Sequence, residues 1–171
     1  MRDSRYDLLF EPVKIGPVTA KNRFYQVPHC AGMGWLRPKM AAAMRGMKAE
    51  GGWGVVCTEW CSIDSASDDL PHPNAALWNQ DHIRDQALMI EAVHNHGALA
   101  GVELWFGGAS SANHYTRETA IDLTSIPNLS GHPYQTRAMD KSDIRELRRW
   151  HREAALRAKE ADFDIVYVYA T

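Results

Sequence analysis

The chain has 171 residues, 45% of them hydrophobic and 23% charged, with a formal net charge of −2. This is an ordinary globular composition, and its near-neutral charge gives no electrostatic footprint for nucleic acid or an anionic membrane. No apolar run approaches the roughly 20 residues that cross a bilayer, and residues 1–7 lack the apolar centre of a secretion signal. Three cysteines, an odd number, argue against a disulfide framework and for a reducing, cytoplasmic setting.

Residues 13–20 read as a hairpin turning at Gly16-Pro17, ahead of a first strand at 22–28 that Pro28 ends by withholding an N–H. A helix is predicted over 38–50, with Pro38 in its first turn and Gly51-Gly52 after its last. Met40, Met44 and Met47 fall at helical spacing and read as core filler. Residues 54–60 form the second strand, apolar at its start as doubly covered strands are. A second helix follows over 81–96, with Ile83, Ala87, Ile90 and His94 on one face and Gly97 at the C-terminal turn. The third strand is 98–105. A polar excursion over 108–139 is long enough to carry function or short elements of its own. A third helix starts near Ser142, capped by Asp140 or Ser142, and turns Ile144, Leu147, Ala154, Ala155 and Ala158 inward. Residues 165–169 are the fourth strand. Cys57 and Cys61 read as packing residues, since no second ligand pair accompanies them.

Alternating strands and helices imply an α/β fold with a parallel sheet and right-handed crossovers. The absence of Gly-x-Gly-x-x-Gly after the first strand weakens the dinucleotide-binding open sheet. An eight-stranded parallel barrel needs about 250 residues, and four strands are visible. The expectation is a single domain over 1–171 that forms the first half of a TIM-type (β/α)8 barrel and is cut short.

In such a barrel the C-terminal strand ends share one rim, where active sites lie. Those ends carry Cys30, Glu59 with Trp60, Glu103 with Trp105, and Tyr169. Cys30 stands beside His29, whose imidazolium would favour a thiolate; equally, it could be a small residue filling a gap. Glu103 interrupts an apolar strand, so its carboxylate is expected to be paired or hydrogen-bonded. Trp60 and Tyr169 each have a bland reading as packing aromatics, and it is the coincidence on one rim that favours a site.

The segments Tyr6 to Pro12, Asn22 to Cys30, Lys48 to Trp53, Leu99 to Trp105 and Asp164 to Tyr169 resemble the N-terminal part of trimethylamine dehydrogenase and its dimethylamine and histamine dehydrogenase relatives, within the old yellow enzyme group. The resemblance covers nearly the whole chain. It implies an FMN-bearing barrel with Cys30 bonded through sulfur to C6 of the flavin, and with Val27, Pro28, His29 and Glu103 lining the ring. Tyr169 matches a catalytic tyrosine that adjusts protonation together with a histidine that would lie beyond Thr171. Ala170-Thr171 departs from the Gly-Ala usual there. Trp60 stands where the family has a tyrosine of the bowl that holds a methylated ammonium, and an indole keeps a cation–π attraction of about 0.5–2 kcal/mol. The implied reaction is oxidation of a small amine, with electrons passed to a 4Fe-4S cluster and an electron-transferring flavoprotein. The cluster's ligands belong to sequence outside this chain, so no residue here is assigned to a metal. The full-length enzyme is expected to be a homo-oligomer. Two alternatives remain: an NAD(P)H-dependent ene-reductase of the same group, and an inactive fragment or assembly module as an isolated chain.

Overall fold

The computed structural model describes residues 3–69, 71 and 74–169; Ala170 and Thr171 lie outside them. A 3-10 turn at Ser4–Phe10, capped by Asp3, leads in. Val13–Ile15 (β1) and Val18–Ala20 (β2) pair antiparallel around Gly16, whose φ of 56° is left-handed and so suits glycine. The first parallel strand is shorter than expected: Tyr25–Gln26 (β3) alone joins the ladder. One further bond, from His29 N–H to Thr58 O, follows beyond Pro28.

Pro38–Glu50 (α1) begins on its proline and ends before Gly51. Its inward face is Ala42, Arg45, Gly46 and Ala49, whereas Met40 and Met47 are exposed and do not fill the core. The reason is close packing against the next helix, where a Cβ on Gly46 would lie 3.1 Å from that of Ala92. Long side chains do not fit there, so the small residues take the interface. Val55–Ser62 (β4) is followed by Ala75–Ala76 (β5), a short strand beside the end of β4 that the sequence did not announce. Gln80–His94 (α2) is N-capped by Asn79. It buries Ile83 and Ile90 as expected, together with His82, Gln86, Met89 and Val93, but Ala87 is exposed.

Leu99–Trp105 (β6) matches the predicted third strand. The excursion holds two short strands, Ile121–Asp122 (β7) and Arg137–Ala138 (β8), paired to each other. Lys141–Glu160 (α3) starts on Asp140, which forms a reciprocal capping box with Asp143. Leu147, Ala154, Ala155 and Ala158 pack inward. Ile144, in the first turn, is exposed because α3 has not yet reached the sheet. Ile165–Tyr169 (β9) completes a parallel sheet in the order β3-β4-β6-β9, with β5 beside β4.

The strand period of two divides this sheet cleanly. Val56, Ala100, Val102 and Leu104 join the core under the three helices, with Cys61. Val55, Cys57, Leu99, Ile165 and Tyr167 face the other way, against Val13, Ile15 and Ala20 of the hairpin. The hairpin thereby plugs the N-terminal end of the inner face, leaving the C-terminal end free for a site. Cys57 and Cys61 are both fully buried, one in each cluster.

Candidate active site

The inner face is arranged in rows set by strand register. Above the Val55–Leu99 pair, Cys57, Gly101 and Ile165 form the lowest row to span three strands, Trp60, Glu103 and Tyr167 the next, and Ser62, Trp105 and Tyr169 the uppermost. Gly101 is required in the lowest row, since a Cβ there would meet Cys57 Sγ at 2.6 Å. Between the two lower rows β4 carries a bulge: two residues, Thr58 and Glu59, oppose the single residue Val102. A bulge shifts the side-chain alternation by one. It brings Trp60 onto the inner face and sends Glu59 to the helix side. Of the two residues read together at this strand end, only Trp60 faces the inner surface.

Glu59 is 3% exposed and accepts the Ala31 N–H at 3.1 Å. Desolvation raises its pKa, and the Ala31, Gly34 and Met33 N–H groups partly offset that rise. Arg45, on α1, is 2% exposed. Its Nη2 donates to the His29 carbonyl at 2.7 Å and its Nη1 to Gln26 Oε1 at 3.1 Å. The same Nη1 lies 3.0 Å from His29 Nδ1, while Lys48 Nζ is 3.0 Å from His29 Nε2. Arg45 and Glu59 both line a cavity of about 20 Å³ between α1, α2 and β4. Arg45 escaped the sequence reading, although a signal existed: it is the single long charged residue on the buried Ala42–Gly46–Ala49 stripe.

Cys30 is exposed at the end of this segment. Its environment differs from the one expected of a His-Cys pair. His29 turns toward α1, where desolvation and then the Arg45 and Lys48 charges lower its pKa and keep it neutral. The thiol instead feels burial and carboxylates: desolvation, then Glu59, push it up to about 12 against an opposing backbone bond from Trp60, with Asp69 and Glu103 adding smaller amounts. The ring is engaged by Arg45 and Lys48, so the imidazole lies where it does not serve the sulfur.

Trp60 stacks on Trp105 with ring centroids 5.3 Å apart, and Trp60 Nε1 donates to Asp69 at 3.1 Å. Nothing local in the sequence pointed to Asp69, which reaches the indole from the irregular segment after β4. Glu103 stands in register with Trp60, part-exposed; desolvation alone raises its pKa. The expected partner for Glu103 does not materialise: its carboxylate has no hydrogen bond among the described residues, because it opens toward the free end of the face. Beside it in the same row, the Tyr167 hydroxyl donates to that of Tyr25, another pair the sequence reading passed over. Tyr169 lies in register with Trp105 and borders a cavity of about 250 Å³ with Phe106, Leu147 and His151. Val27 is 62% exposed and Pro28 partly buried.

A planar heteroaromatic ring with an imide N–H suits this surface. The Glu103 carboxylate is an acceptor without a donor among the described residues, Gly101 has no side chain in the row below it, and Cys30 supplies an exposed sulfur. The residues present therefore fit the flavin that the sequence resemblance implies.

Comparison with known proteins agrees in kind. Dimethylamine dehydrogenase of Hyphomicrobium sp. is 42% identical over 98% of this chain, which spans 24% of that protein. The structure of histamine dehydrogenase from Rhizobium sp. 4-9 superposes with a TM-score of 0.94 at 47% identity, covering 99% of this chain and 26% of that one. That of 6-hydroxypseudooxynicotine amine oxidase from Pseudomonas geniculata N1 gives 0.95 at 50% identity, covering 99% and 25%. The chain thus spans about a quarter of these relatives. Morphinone reductase, at 20% identity and a TM-score of 0.80, shares the fold, so the parallel sheet with its helices is part of a barrel of the old yellow enzyme type. The profile of the NADH:flavin oxidoreductase / NADH oxidase family matches residues 8–171, and the chain belongs to that family.

Proposed function

We propose that this chain forms the Cys30-bearing side of an FMN-dependent amine dehydrogenase that oxidises a small amine. One observation carries the reading: the exposed sulfur of Cys30 lies within electrostatic reach of Glu103, whose carboxylate has no donor among the described residues and which pairs in register with the stacked Trp60–Trp105 wall, in a chain 42% identical to dimethylamine dehydrogenase. When bound, the flavin supplies the two-electron acceptor for carbon–hydrogen oxidation beside the amine nitrogen.

In this reading Cys30 holds the ring through its sulfur, Glu103 accepts a ring N–H, and Val27, Pro28 and His29 line its edge. Trp60 offers a π face to the substrate ammonium, steadied by Asp69 and Trp105. Tyr169 holds or passes a proton at its hydroxyl. The iron–sulfur cluster and an electron-transferring flavoprotein partner belong to the longer protein, as does a homo-oligomeric state. Among the described residues no group of three metal-binding side chains occurs, and no helix is long and apolar enough to cross a membrane. A cytoplasmic setting is part of the same proposal. We infer, too, that catalysis needs the remaining strands, because β3 and β9 are edge strands here.

The test is denaturing electrophoresis of the flavin-loaded protein after acid precipitation: yellow fluorescence should stay on the polypeptide and vanish in Cys30→Ala. Flavin lost from the unaltered protein would overturn the assignment of Cys30. Stopped-flow reduction by methylated amines, but not by NADPH, separates this reading from an ene-reductase. The latter is favoured by 27% identity to the NADPH dehydrogenase of Listeria welshimeri.

A further inference from the structure

Two buried, oppositely charged side chains meet the backbone on either side of Cys30. Arg45 donates to the His29 carbonyl at 2.7 Å, and that carbonyl belongs to the peptide unit entering Cys30. Glu59 accepts the Ala31 N–H at 3.1 Å, and that N–H belongs to the peptide unit leaving it. The two side chains are only 2% and 3% exposed. The two do not form a salt bridge: Arg45 and Glu59 Oε1 bond to the segment instead, Glu59 Oε2 is left without a hydrogen bond, and both side chains line the small cavity. Burying a charge is costly unless it is hydrogen-bonded, so the arrangement ties the stability of the helix–sheet interface to the conformation of one exposed residue.

We infer that Arg45 and Glu59 are positioning residues that fix the backbone of Cys30 from both sides and so aim its sulfur along the inner face. Arg45 adds a second hold through the His29 ring and Gln26. The bulge in β4 is part of the device, because it is what turns Glu59 toward the segment rather than into the site. The consequence for flavin attachment rests on the reading of Cys30 above; the hold on the backbone does not.

Amide hydrogen exchange resolved at single residues tests it in three variants of the whole chain. Glu59→Ala should speed exchange at Ala31 by about tenfold or more, the factor expected of a lost hydrogen bond to a charged group. Glu59→Gln keeps the acceptor and should restore near-normal protection. Arg45→Lys keeps the charge but loses the planar fork, and should speed exchange at His29 and Ala31. In all three, the amides of Val56 and Val102 should keep the protection of the parent. Flavin loading adds the second readout: the covalently retained fraction should drop several-fold in Glu59→Ala and Arg45→Lys, and recover in Glu59→Gln. Unchanged exchange at 29–31, or equal loss at Val56 and Val102, would overturn the positioning role. Absence of covalent flavin in the unaltered protein would instead sink the Cys30 assignment while the exchange result stood.

Discussion

At the scale of single residues, the chemistry of the site follows from which way each side chain points. Cys30 sits among carboxylates while its histidine neighbour faces two cations, so its thiol is held protonated near neutrality. With a pKa of about 12 against an ordinary 9.0, the flavin-free chain should carry about a thousandfold less thiolate at pH 8 than a free cysteine. Alkylation of Cys30 by iodoacetamide, followed by peptide mass spectrometry, should be correspondingly slow and rise about tenfold per pH unit through pH 10. A plateau near pH 9 would contradict the electrostatic account. Gly101 makes a second residue-level prediction. An added methyl would press on Cys57 Sγ in a fully buried spot, so Gly101→Ala should cost about 1–3 kcal/mol. Thermal melts should show that loss, and Gly101→Ala combined with Cys57→Ala should recover most of it.

At the scale of elements, helix starts and strand identities were readable because they rest on local chemistry. Asp140 was one of two cap candidates, and the structure assigns it the box with Asp143 and the Ser142 N–H. Asp140→Ala should destabilise by about 1 kcal/mol, seen as a lower denaturant midpoint with an unchanged slope. Which face of a helix turned inward was harder to read. Met40 and Met47 of α1 and Ile144 of α3 looked like core by spacing, yet their positions face solvent. Inter-helix distance and the length of overhang decide that, and neither is a local property. The β4 bulge is the clearest case. One extra residue exchanges the roles of Glu59 and Trp60, and nothing in the run from Cys57 to Cys61 marks where the ladder slips.

At the scale of the whole molecule, the hairpin closes one end of the inner face and three helices cover the outer side, so the site has one place to be. The same packing traps His82 between Trp35 and Trp78, where desolvation, with Arg157 adding, lowers its pKa to about 4. A histidine whose folded pKa lies below its unfolded value of 6.5 takes up protons on unfolding. Stability is therefore full above pH 6.5 and falls as pH drops toward 4, by on the order of 2–3 kcal/mol. Melting temperatures between pH 7.5 and 4.5 should show the decline, and His82→Phe should flatten it. A flat profile in the unaltered protein would remove His82 as the cause.

The order of strands and helices, the hairpin, the α/β class and the prominence of Cys30, Trp60, Glu103 and Tyr169 were all determined by the chain's own periodicity, turn residues and out-of-place polar groups, which act over a few residues. Tertiary structure alone decided that Glu59 leaves the site, that His29 serves Arg45 rather than the thiol, and that Trp60 and Trp105 stack. Each of these depends on register between strands or on contact with a helix far along the chain, and such pairings are fixed only when the layers pack.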